Sequence, residues 1–341
     1  MFYNELVFFK KNRVRRVYTG GALFSGFFSD DSVDGFYPEE WIASTVHALN
    51  KDSTDPKEGV SVIDGTDIYL DDAVEMYREK ILGEKSELGI LAKFIDSSIR
   101  LPVQAHPDKA FSEKYFNSSH GKEECWIILG VRPGAKIYYG FKNGVTQSDF
   151  VAAIEQSENK TDKMKDLLNS IDVIPGDVIY IPAKMVHAIG YGCLLLEIQE
   201  PTDFTIQPER YCGEYRLTDG EMYLGLDRET ALECFDYAKT FEAPLILNHI
   251  SDSETCLYQS AVDSKITESF SINTVNLYNG EFNLKIPAAV YVVTEGEGEI
   301  TGENYERKIR RGDYFLLPAC AVNKFKISGT LNFVESFSKG E

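Results

Sequence analysis

The sequence predicts a mainly β fold of two related jelly-roll units, with a small helical insertion in the first unit. Short strand-like runs recur along the chain, separated by turns rich in glycine, asparagine and proline, a pattern typical of β-sandwiches and barrels. The interval 146–170 changes to helical periodicity. An internal repeat links two distant strand-like runs, as described below. Together these observations define the predicted fold class.

The first hundred or so residues are predicted to mix short strands with loops. The run EEWIASTV at 39–46 predicts a strand, and Leu88–Ile95 predicts a buried strand because it is mostly apolar. Between them, Ala73–Leu82 has the apolar spacing of a helix. After the central part of the chain, Lys136–Tyr139 is another strand-like run.

The helical insertion is predicted over residues 146–170. Ser148 is the expected N-cap, because a small hydroxyl residue there can accept a hydrogen bond from a free backbone N–H. The segment is predicted to form one or two helices, with a break at the polar stretch 157–159. The strand pattern returns at Ile171, and a helix is predicted over Arg228–Ala238.

Strand-like runs dominate again from about Leu245 to the end of the chain. This change of pattern predicts a first unit over residues 1–240, which carries the helical insertion, and a second unit over residues 241–341.

The internal repeat relates PGDVIYIPAKMVHAIG at Pro175–Gly190 to RGDYFLLPACAVNKFK at Arg311–Lys326. Each copy has Gly-Asp, an apolar strand, Pro-Ala, and a polar residue five places after the proline. That polar residue is His187 in the first copy and Asn323 in the second. The repeat predicts two units of the same architecture.

A second alignment matches the segment EECWIIL with the segment AAVYVVT, so that Ala289 occupies the position equivalent to Glu124. A histidine and a glutamate of the first unit therefore correspond to an asparagine and an alanine of the second. We expect a metal site in the first unit and none in the second.

The predicted metal site combines four side chains. Gln104 and His106 lie two residues apart in an apolar run, so on a β-strand they point to the same face. Glu124 and His187 each lie in an apolar run, where a lone buried carboxylate is costly. One amide oxygen, two imidazoles and one carboxylate favour a borderline metal, with Zn(II) the leading candidate.

Each of these residues also has a structural alternative. Gln104 could satisfy backbone groups in a buried strand, and Glu124 could be the ion-pair partner of Lys122 on the same strand face. His106 could begin the turn at Pro107. Cys125 is not expected to be a ligand, because on a strand it faces away from Glu124.

Composition and charge limit the classes of partner. The chain has 341 residues and a net charge of −19, which argues against nucleic acid or an anionic membrane as a partner. Its six cysteines are scattered and include no CxxC pair, which argues against a disulfide framework. No apolar run reaches the ~18 residues of a membrane span. The basic residues near the N-terminus follow the apolar ones, the reverse of a secretion signal. We expect a cytoplasmic protein.

Four motifs in order resemble a known family. LPVQAHPD, GKEECW, PGDVIYIPAKMVHA and LEIQ…TD resemble type I phosphomannose isomerase, a family of zinc enzymes in the cupin superfamily. The resemblance is strongest over residues 90–207. It implies two cupin units and one Zn(II) per chain. It also implies an aldose–ketose isomerase that interconverts mannose 6-phosphate and fructose 6-phosphate through a cis-enediol.

The resemblance also implies roles for individual residues. The metal ligands of the family fall on Gln104, His106, Glu124 and His187. Lys122 falls on a lysine of the substrate pocket, and Glu197 and Asp203 both fall on active-site positions. The sequence does not decide which residue moves the proton. Arg100 stands where the family usually has lysine, so Arg100 and Lys122 are expected to hold the phosphate or polarise the sugar oxygens.

Two positions depart from the family pattern. Pro102 replaces a serine associated with the substrate phosphate, and Gln207 replaces the catalytic arginine. Proline has no N–H to donate and glutamine carries no charge. We expect either that Arg100 and the nearest arginine, Arg210, compensate, with Gln207 as a substrate contact, or that the substrate differs.

Three alternative functions remain open at this point. The chain could isomerise or epimerise a different sugar or sugar phosphate, or it could bind a sugar phosphate without turnover. It could also be an iron-dependent oxygenase, although Gln104 and Lys122 disfavour an open 2-His-1-carboxylate face. The sequence does not distinguish a monomer from a dimer.

Overall fold

The computed structural model describes residues 2–239, 245 and 247–339. It is mainly β, with 38% of residues in strands and 17% in helices, as the sequence predicts. Three larger antiparallel sheets and one two-stranded ribbon, Tyr211–Cys212 with Tyr215–Arg216, make up the β structure of these residues.

Two of the sheets form the first unit. The six-stranded sheet has the order Arg13–Val14, Glu39–Ile42, Leu91–Asp96, Cys193–Gln199, Glu124–Val131 and Val178–Ile181. The three-stranded sheet has the order Leu168–Asp172, Lys136–Phe141 and His187–Ile189. Side chains from both sheets, among them Trp126 and Tyr139, share one buried cluster, so the sheets pack face to face.

The apolar run at Val178–His187 is divided between these two sheets. Val178–Ile181 pairs with the strand Glu124–Val131, and the chain then turns at Pro182 and crosses to the opposite sheet. His187 begins the strand there and pairs with Tyr139. The crossing matters for the site, because it brings His187 across from Glu124.

The third sheet forms the C-terminal unit in the described part of the chain. Its main path runs Val7–Phe8, Tyr314–Leu317, Ala289–Gly302, Phe325–Ser338, Phe270–Asn283, Cys256–Val262 and Asn248–Ser253, and Tyr305–Arg310 pairs with Ala289–Gly302. The strand Val7–Phe8 comes from the N-terminal end of the sequence. The division of the chain near residue 240 stays a prediction.

The pairing registers support the internal repeat. Glu124 lies opposite Ile181, the residue before Pro182. Ala289 lies opposite Leu317, the residue before Pro318. Because both strand pairs have the same offset from their proline, the alignment of Ala289 with Glu124 holds in the structure.

A hydrophobic core joins the first unit to the C-terminal sheet. The side of the strand Glu124–Val131 opposite to Glu124 contributes Cys125 and Ile127 to this core, and the C-terminal sheet contributes Val290 and Leu316. Cys125 is fully buried there. It therefore faces away from Glu124, as predicted from strand alternation.

The helices lie outside the sheets. They span Ala22–Phe28, Leu70–Ile81, Lys109–Phe116, Gln147–Ser157, Lys163–Asp166, Asp219–Tyr223 and Arg228–Leu232, with 3-10 turns at Phe2–Asn4 and Ala319–Ala321. Within the described ranges, none of them is long and apolar enough to cross a membrane.

The helical insertion is present, with one correction. The first helix ends at Ser157, as the polar stretch predicts, but its N-cap is Thr146 and not Ser148. The Thr146 side chain accepts from the Asp149 N–H, and the Asp149 carboxylate accepts from the Thr146 N–H. This reciprocal capping box satisfies more free backbone groups than a cap at Ser148.

Two boundaries also differ from prediction. The strand after the insertion begins at Leu168, before the predicted Ile171. The helix predicted over 228–238 ends at Leu232. Cys234 and Phe235 follow in tighter turns and are buried, so tertiary packing ends the helix early.

Candidate metal centre and substrate cavity

Backbone pairing brings Gln104 next to His187. The Gln104 N–H donates to the His187 carbonyl and the His187 N–H donates to the Gln104 carbonyl, both at 2.9 Å. The two side chains lie on the same side of this pair, with Gln104 Nε2 3.3 Å from His187 Nε2. His106, two residues after Gln104, points into the same space, as strand alternation predicts.

Glu124 lies between the two imidazoles. Its Oε2 is 3.1 Å from His106 Nε2 and its Oε1 is 3.4 Å from His187 Nε2. The candidate donor atoms of these three residues lie within 4.8 Å of one another. All three residues are buried, and Gln104 is 8% exposed beside them. The four predicted ligands therefore come together at one point.

Backbone carbonyls orient both imidazoles. His106 Nδ1 lies 2.9 Å from the Phe204 carbonyl, and His187 Nδ1 lies 2.9 Å from the Met185 carbonyl. A carbonyl only accepts, so each Nδ1 carries the proton and each Nε2 directs its lone pair towards Glu124. This is how metal-binding histidines are held in other proteins.

The electrostatics favour neutral imidazoles beside an ionised carboxylate. Burial, together with the Lys122 ammonium, lowers the pKa of His106 to about 4. Burial also lowers the pKa of His187. Burial alone would raise the pKa of Glu124, but the Lys122 ammonium and the imidazoles hold it well below its usual range. Neutral imidazole and carboxylate are the forms that bind a metal.

One oxygen of Glu124 supports a metal at this point. Among the residues that the structure describes, none donates a hydrogen bond to the buried Oε1. A buried carboxylate oxygen that faces an imidazole lone pair is unfavourable without a cation. The donor set of one carboxylate, two imidazoles and one amide fits a divalent metal.

Lys122 lies at the edge of this cluster. Its Nζ is 2.5 Å from Glu124 Oε2 and 2.8 Å from His106 Nε2, and the side chain is almost fully buried. The ion pair between Lys122 and Glu124 was the structural alternative to the metal site, and the structure contains it. The two roles are compatible, because a ligating carboxylate has a second oxygen for such a partner.

A cavity of about 630 Å³ adjoins the cluster through Gln104 and Lys122, which line it. This volume suits a small organic ligand. Predicted site residues that line it are Gln104, Lys122, Glu197, Asp203 and Gln207, together with Pro102. Gln207 donates its amide N–H to the Glu221 carbonyl, 3.3 Å away, so its side chain is a neutral wall of the cavity.

Arg100 and Arg210 do not line this cavity. Both ends of the Arg100 guanidinium bind the buried Glu209 carboxylate at 2.7 Å. Arg210 donates to Glu158 at 2.6 Å and pairs with Asp219 at 2.7 Å, and these three residues line a separate pocket. The expectation that these arginines compensate for Pro102 and Gln207 is therefore not supported, because each neutralises carboxylates elsewhere.

Four cationic residues that the sequence motifs do not indicate also line the cavity, and two of them, Lys93 and Arg16, bind its carboxylates. Lys93 Nζ is 3.0 Å from Glu197 Oε1, and the Trp126 indole N–H donates to Glu197 Oε2 at 2.8 Å. Arg16 donates to both oxygens of Asp203, at 3.0 and 2.9 Å. Lys93 had a signal in the sequence, because a lone lysine in the apolar run LAKFI needs a buried partner.

Glu39 connects these two cations. It lies 2.9 Å from Arg16 Nε and 3.7 Å from Lys93 Nζ. Burial raises the pKa of Glu39, but Arg16 and Lys93 outweigh it and lower the pKa to about 2. The cavity wall is therefore a chain of buried ion pairs that fixes Glu197 and Asp203 in place.

These features define a cupin-type β protein with a buried site suited to a divalent metal, next to a cavity of ligand size. Comparison with known proteins narrows this class. The family model for the cupin domain of mannose-6-phosphate isomerase matches residues 263–338. The match supports the interpretation of the C-terminal unit as a cupin.

Relatives match most of the chain. Mannose-6-phosphate isomerase ManA of Bacillus subtilis is 32% identical over 253 residues, which is 72% of this chain and 74% of that protein. Mannose-6-phosphate isomerase of Streptococcus mutans is 27% identical over 290 residues, 82% of this chain and 85% of that protein. The chain belongs to the mannose-6-phosphate isomerase family, and it is an enzyme of the sugar-phosphate isomerase class.

Solved structures confirm the fold. The crystal structure of mannose 6-phosphate isomerase from B. subtilis aligns with a TM-score of 0.78 and 24% identity, covering 97% of this chain and 99% of that one. A putative mannosephosphate isomerase from Archaeoglobus fulgidus aligns with a TM-score of 0.69 and 20% identity, covering 98% of each chain. The predicted fold and family resemblance are thus confirmed.

Proposed function

We propose that the chain interconverts mannose 6-phosphate and fructose 6-phosphate, using one divalent metal per chain, with Zn(II) as that metal. The observation that carries the proposal is the buried cluster of His106, Glu124 and His187. Two residues that line the cavity contact this cluster: Gln104 contacts His187, and Lys122 contacts His106 and Glu124. Its relatives named as mannose-6-phosphate isomerases support the choice of substrate.

Gln104, His106, Glu124 and His187 would hold the metal. The Gln104 amide offers its oxygen when its amide O and N are exchanged by rotation, since nitrogen and oxygen occupy equivalent positions. When bound, the metal supplies Lewis acidity that polarises the O1 and O2 atoms of the sugar.

The reaction needs a group that moves a proton between two carbons. A proton leaves C2 and O1 gains one, which gives a cis-enediol; O2 then loses a proton and C1 gains one. We assign the transfer from C2 to C1 to Glu197, whose Oε1 faces the Lys93 and Lys122 ammoniums at 3.0 and 3.9 Å.

Asp203 is less suited to this transfer. Both of its oxygens accept from Arg16, and one also accepts from the Leu49 N–H at 2.8 Å. Its lone pairs are therefore engaged in holding the cavity wall. Lys122 lies between the cluster and Glu197, where its ammonium can donate to a sugar oxygen that gains negative charge.

The test is isomerase activity of zinc-loaded protein on mannose 6-phosphate, followed by formation of fructose 6-phosphate. We expect turnover in the wild type and none above background in His106→Ala at equal folded concentration. Absence of turnover by folded, zinc-loaded wild type would contradict the proposed substrate. Turnover supported by iron alone would contradict the proposed metal.

A second candidate is isomerisation of a different sugar phosphate. Pro102 and Gln207 favour it, because two cavity positions lack the donor and the charge expected for the family. A panel of phosphorylated aldoses, compared by kcat/KM, separates the two candidates. Mannose 6-phosphate is expected to give the highest value.

A further inference from the structure

The charges that line the cavity decide where a phosphate group can bind. The chain carries a net charge of −19, so a phosphate dianion needs local cations set against the overall field. The cationic side chains that line the cavity are Arg15, Arg16, Lys51, Lys93 and Lys122.

The three deeper cations are already neutralised. Lys122 pairs with Glu124 at 2.5 Å, and Lys93 pairs with Glu197 at 3.0 Å. Arg16 is shared between Glu39 and Asp203. A phosphate at any of them would have to displace a buried carboxylate, which is strongly unfavourable.

Arg15 and Lys51 differ from these three. Both side chains are exposed, and neither forms an ion pair with any residue in the described ranges. The Arg15 guanidinium lies 5.9 Å from the centre of the Phe36 ring and donates no hydrogen bond to a residue in the described part of the chain. These are the cations of the cavity wall that remain available to an anion.

Hydrogen bonds hold the two cations at one rim. The Asn50 amide, next to Lys51 in sequence, donates to the Arg15 carbonyl at 2.8 Å. The neighbouring Leu49 N–H donates to Asp203, which ties this loop to the cavity wall. Lys51 and Arg15 therefore project from adjoining, anchored segments on the side of the cavity that faces solvent.

Two carboxylates near the same rim oppose them. Asp52 lines the cavity and is exposed. Glu221 also lines it, and its oxygens accept hydrogen bonds from Tyr215 and Thr218. Burial raises the pKa of Glu221, but this is outweighed, chiefly by Thr218 and in part by Lys51, so the pKa is lowered. The pKa of Tyr215 is raised to about 12, first by its hydrogen bond to Glu221, and both Asp52 and Arg15 act on this hydroxyl. Asp52 and Arg15 therefore lie on the same side of the cavity.

We infer that Arg15 and Lys51 form the phosphate subsite, with the reacting end of the sugar directed down to the metal cluster. The inference rests on the proposed function for the identity of the sugar, and it specifies how the substrate is oriented. Two charge-assisted contacts at the rim would take the place of the phosphate contact that is lost where Pro102 stands instead of serine.

Steady-state kinetics on zinc-loaded protein test the subsite. In Arg15→Ala/Lys51→Ala we expect the KM for mannose 6-phosphate to rise roughly tenfold to a hundredfold, since each lost contact to a phosphate weakens binding. The matched control is Arg78→Ala/Lys80→Ala. It removes the same charge from an exposed helix surface outside the cavity, and its KM is expected to stay at the wild-type value.

The outcomes separate the two proposals. A wild-type KM in the rim variant would overturn the subsite and leave the isomerase proposal intact. An equal rise in the control variant would also overturn it, because the effect would then come from net charge. Asp52→Asn is expected to lower the KM, and a higher KM in this variant counts against the subsite.

A binding experiment covers the case in which the wild type fails to isomerise mannose 6-phosphate. Calorimetric titration with mannitol 6-phosphate, which has no carbonyl group to isomerise, measures binding of the sugar phosphate without turnover. Binding to the wild type that weakens at least tenfold in the rim variant supports the subsite even if the proposed function fails. Equal binding by both proteins, or no binding by the wild type, overturns it.

Discussion

Glu124 carries the most constrained side chain of the site. One of its oxygens faces Lys122 and His106, and the other faces His187 without a hydrogen bond from the described residues. Its negative charge is therefore balanced on one side by protein and needs a cation on the other. This division explains how one residue serves both as a structural ion-pair partner and as a candidate ligand.

Glu124→Gln tests this interpretation directly. The change keeps the shape and removes the charge, so we expect metal affinity to fall at least ~10-fold. Metal content after dialysis against a weak chelator is the measurement. Glu113→Gln is the control, because Glu113 is exposed on the helix Lys109–Phe116. Full metal content in Glu124→Gln would show that this carboxylate is not a ligand.

Glu197→Gln separates proton transfer from metal binding. Glutamine keeps the contact to the Trp126 indole through its oxygen but cannot accept a proton from C2. We expect kcat to fall by roughly 10²–10⁴ with metal content unchanged. A kcat within a few-fold of the wild type would assign the transfer to another group.

At the scale of elements, the strand Glu39–Ile42 places two neighbouring carboxylates in different environments. Glu39 faces the cavity, where it binds Arg16 and lies near Lys93. Glu40 faces the opposite side, where it accepts from the Tyr314 hydroxyl of the C-terminal sheet at 2.6 Å. Strand alternation thus makes this element part of both the site and the inter-sheet core.

The contributions of Glu39 and Glu40 to the free energy of unfolding should change with pH in opposite directions. The pKa of Glu39 is lowered from 4.5 to about 2 in the fold. Its ionised form therefore stabilises the protein above pH ~4.5, and this contribution is lost as the pH falls towards 2. Urea unfolding at several pH values should show the advantage of wild type over Glu39→Gln shrinking with acidification.

Glu40→Gln provides the opposite case. Burial raises the pKa of Glu40 above its usual value, so its contribution to stability grows as the pH falls and the carboxyl becomes protonated. The difference between wild type and Glu40→Gln should therefore move in the other direction. Parallel pH profiles for the two variants would contradict these assignments.

The elements also show what the sequence could predict. Gln104, His106 and Glu124 lie in short apolar runs whose alternation fixes their direction, and the structure brings them together as expected. Arg16 could not be predicted in the same way. Its partner Asp203 lies 187 residues further along the chain, and no local pattern encodes a contact between two loops. The partner of Arg100, Glu209, is likewise distant in sequence, so its pairing could not be predicted from a local pattern.

On the scale of the whole molecule, the two units share one core. Residues of the six-stranded sheet and of the C-terminal sheet pack in the same hydrophobic cluster. The strand Val7–Phe8 also pairs with Tyr314–Leu317 of the other unit. This shared core couples the stabilities of the two units, because unfolding either unit alone would expose buried apolar side chains of the core to water.

Unfolding should therefore be a single transition for both units. The two tryptophans, Trp41 and Trp126, lie in the first unit, so fluorescence reports on it, whereas circular dichroism reports on all strands. We expect the two signals to change at the same urea concentration. Separate midpoints would show that the units unfold independently.

A destabilising mutation in the C-terminal sheet should also shift the unfolding transition that the tryptophan fluorescence of the first unit reports. Leu316 is fully buried in the shared core, and Leu316→Ala should lower the free energy of unfolding by about 2–5 kcal/mol by both signals. Tyr278→Ala is the control, since Tyr278 is 53% exposed and its loss should have little effect. A change confined to circular dichroism would contradict the coupling.

The pairing of Val7 with Leu316 has a consequence for synthesis on the ribosome. Val7 leaves the exit tunnel long before Leu316, because most of the sequence lies between these two residues. Until then the nascent chain exposes a strand edge and an apolar sheet face, both of which promote aggregation. Long-range pairing of this kind folds slowly, so the growing polypeptide is the form that most needs chaperones.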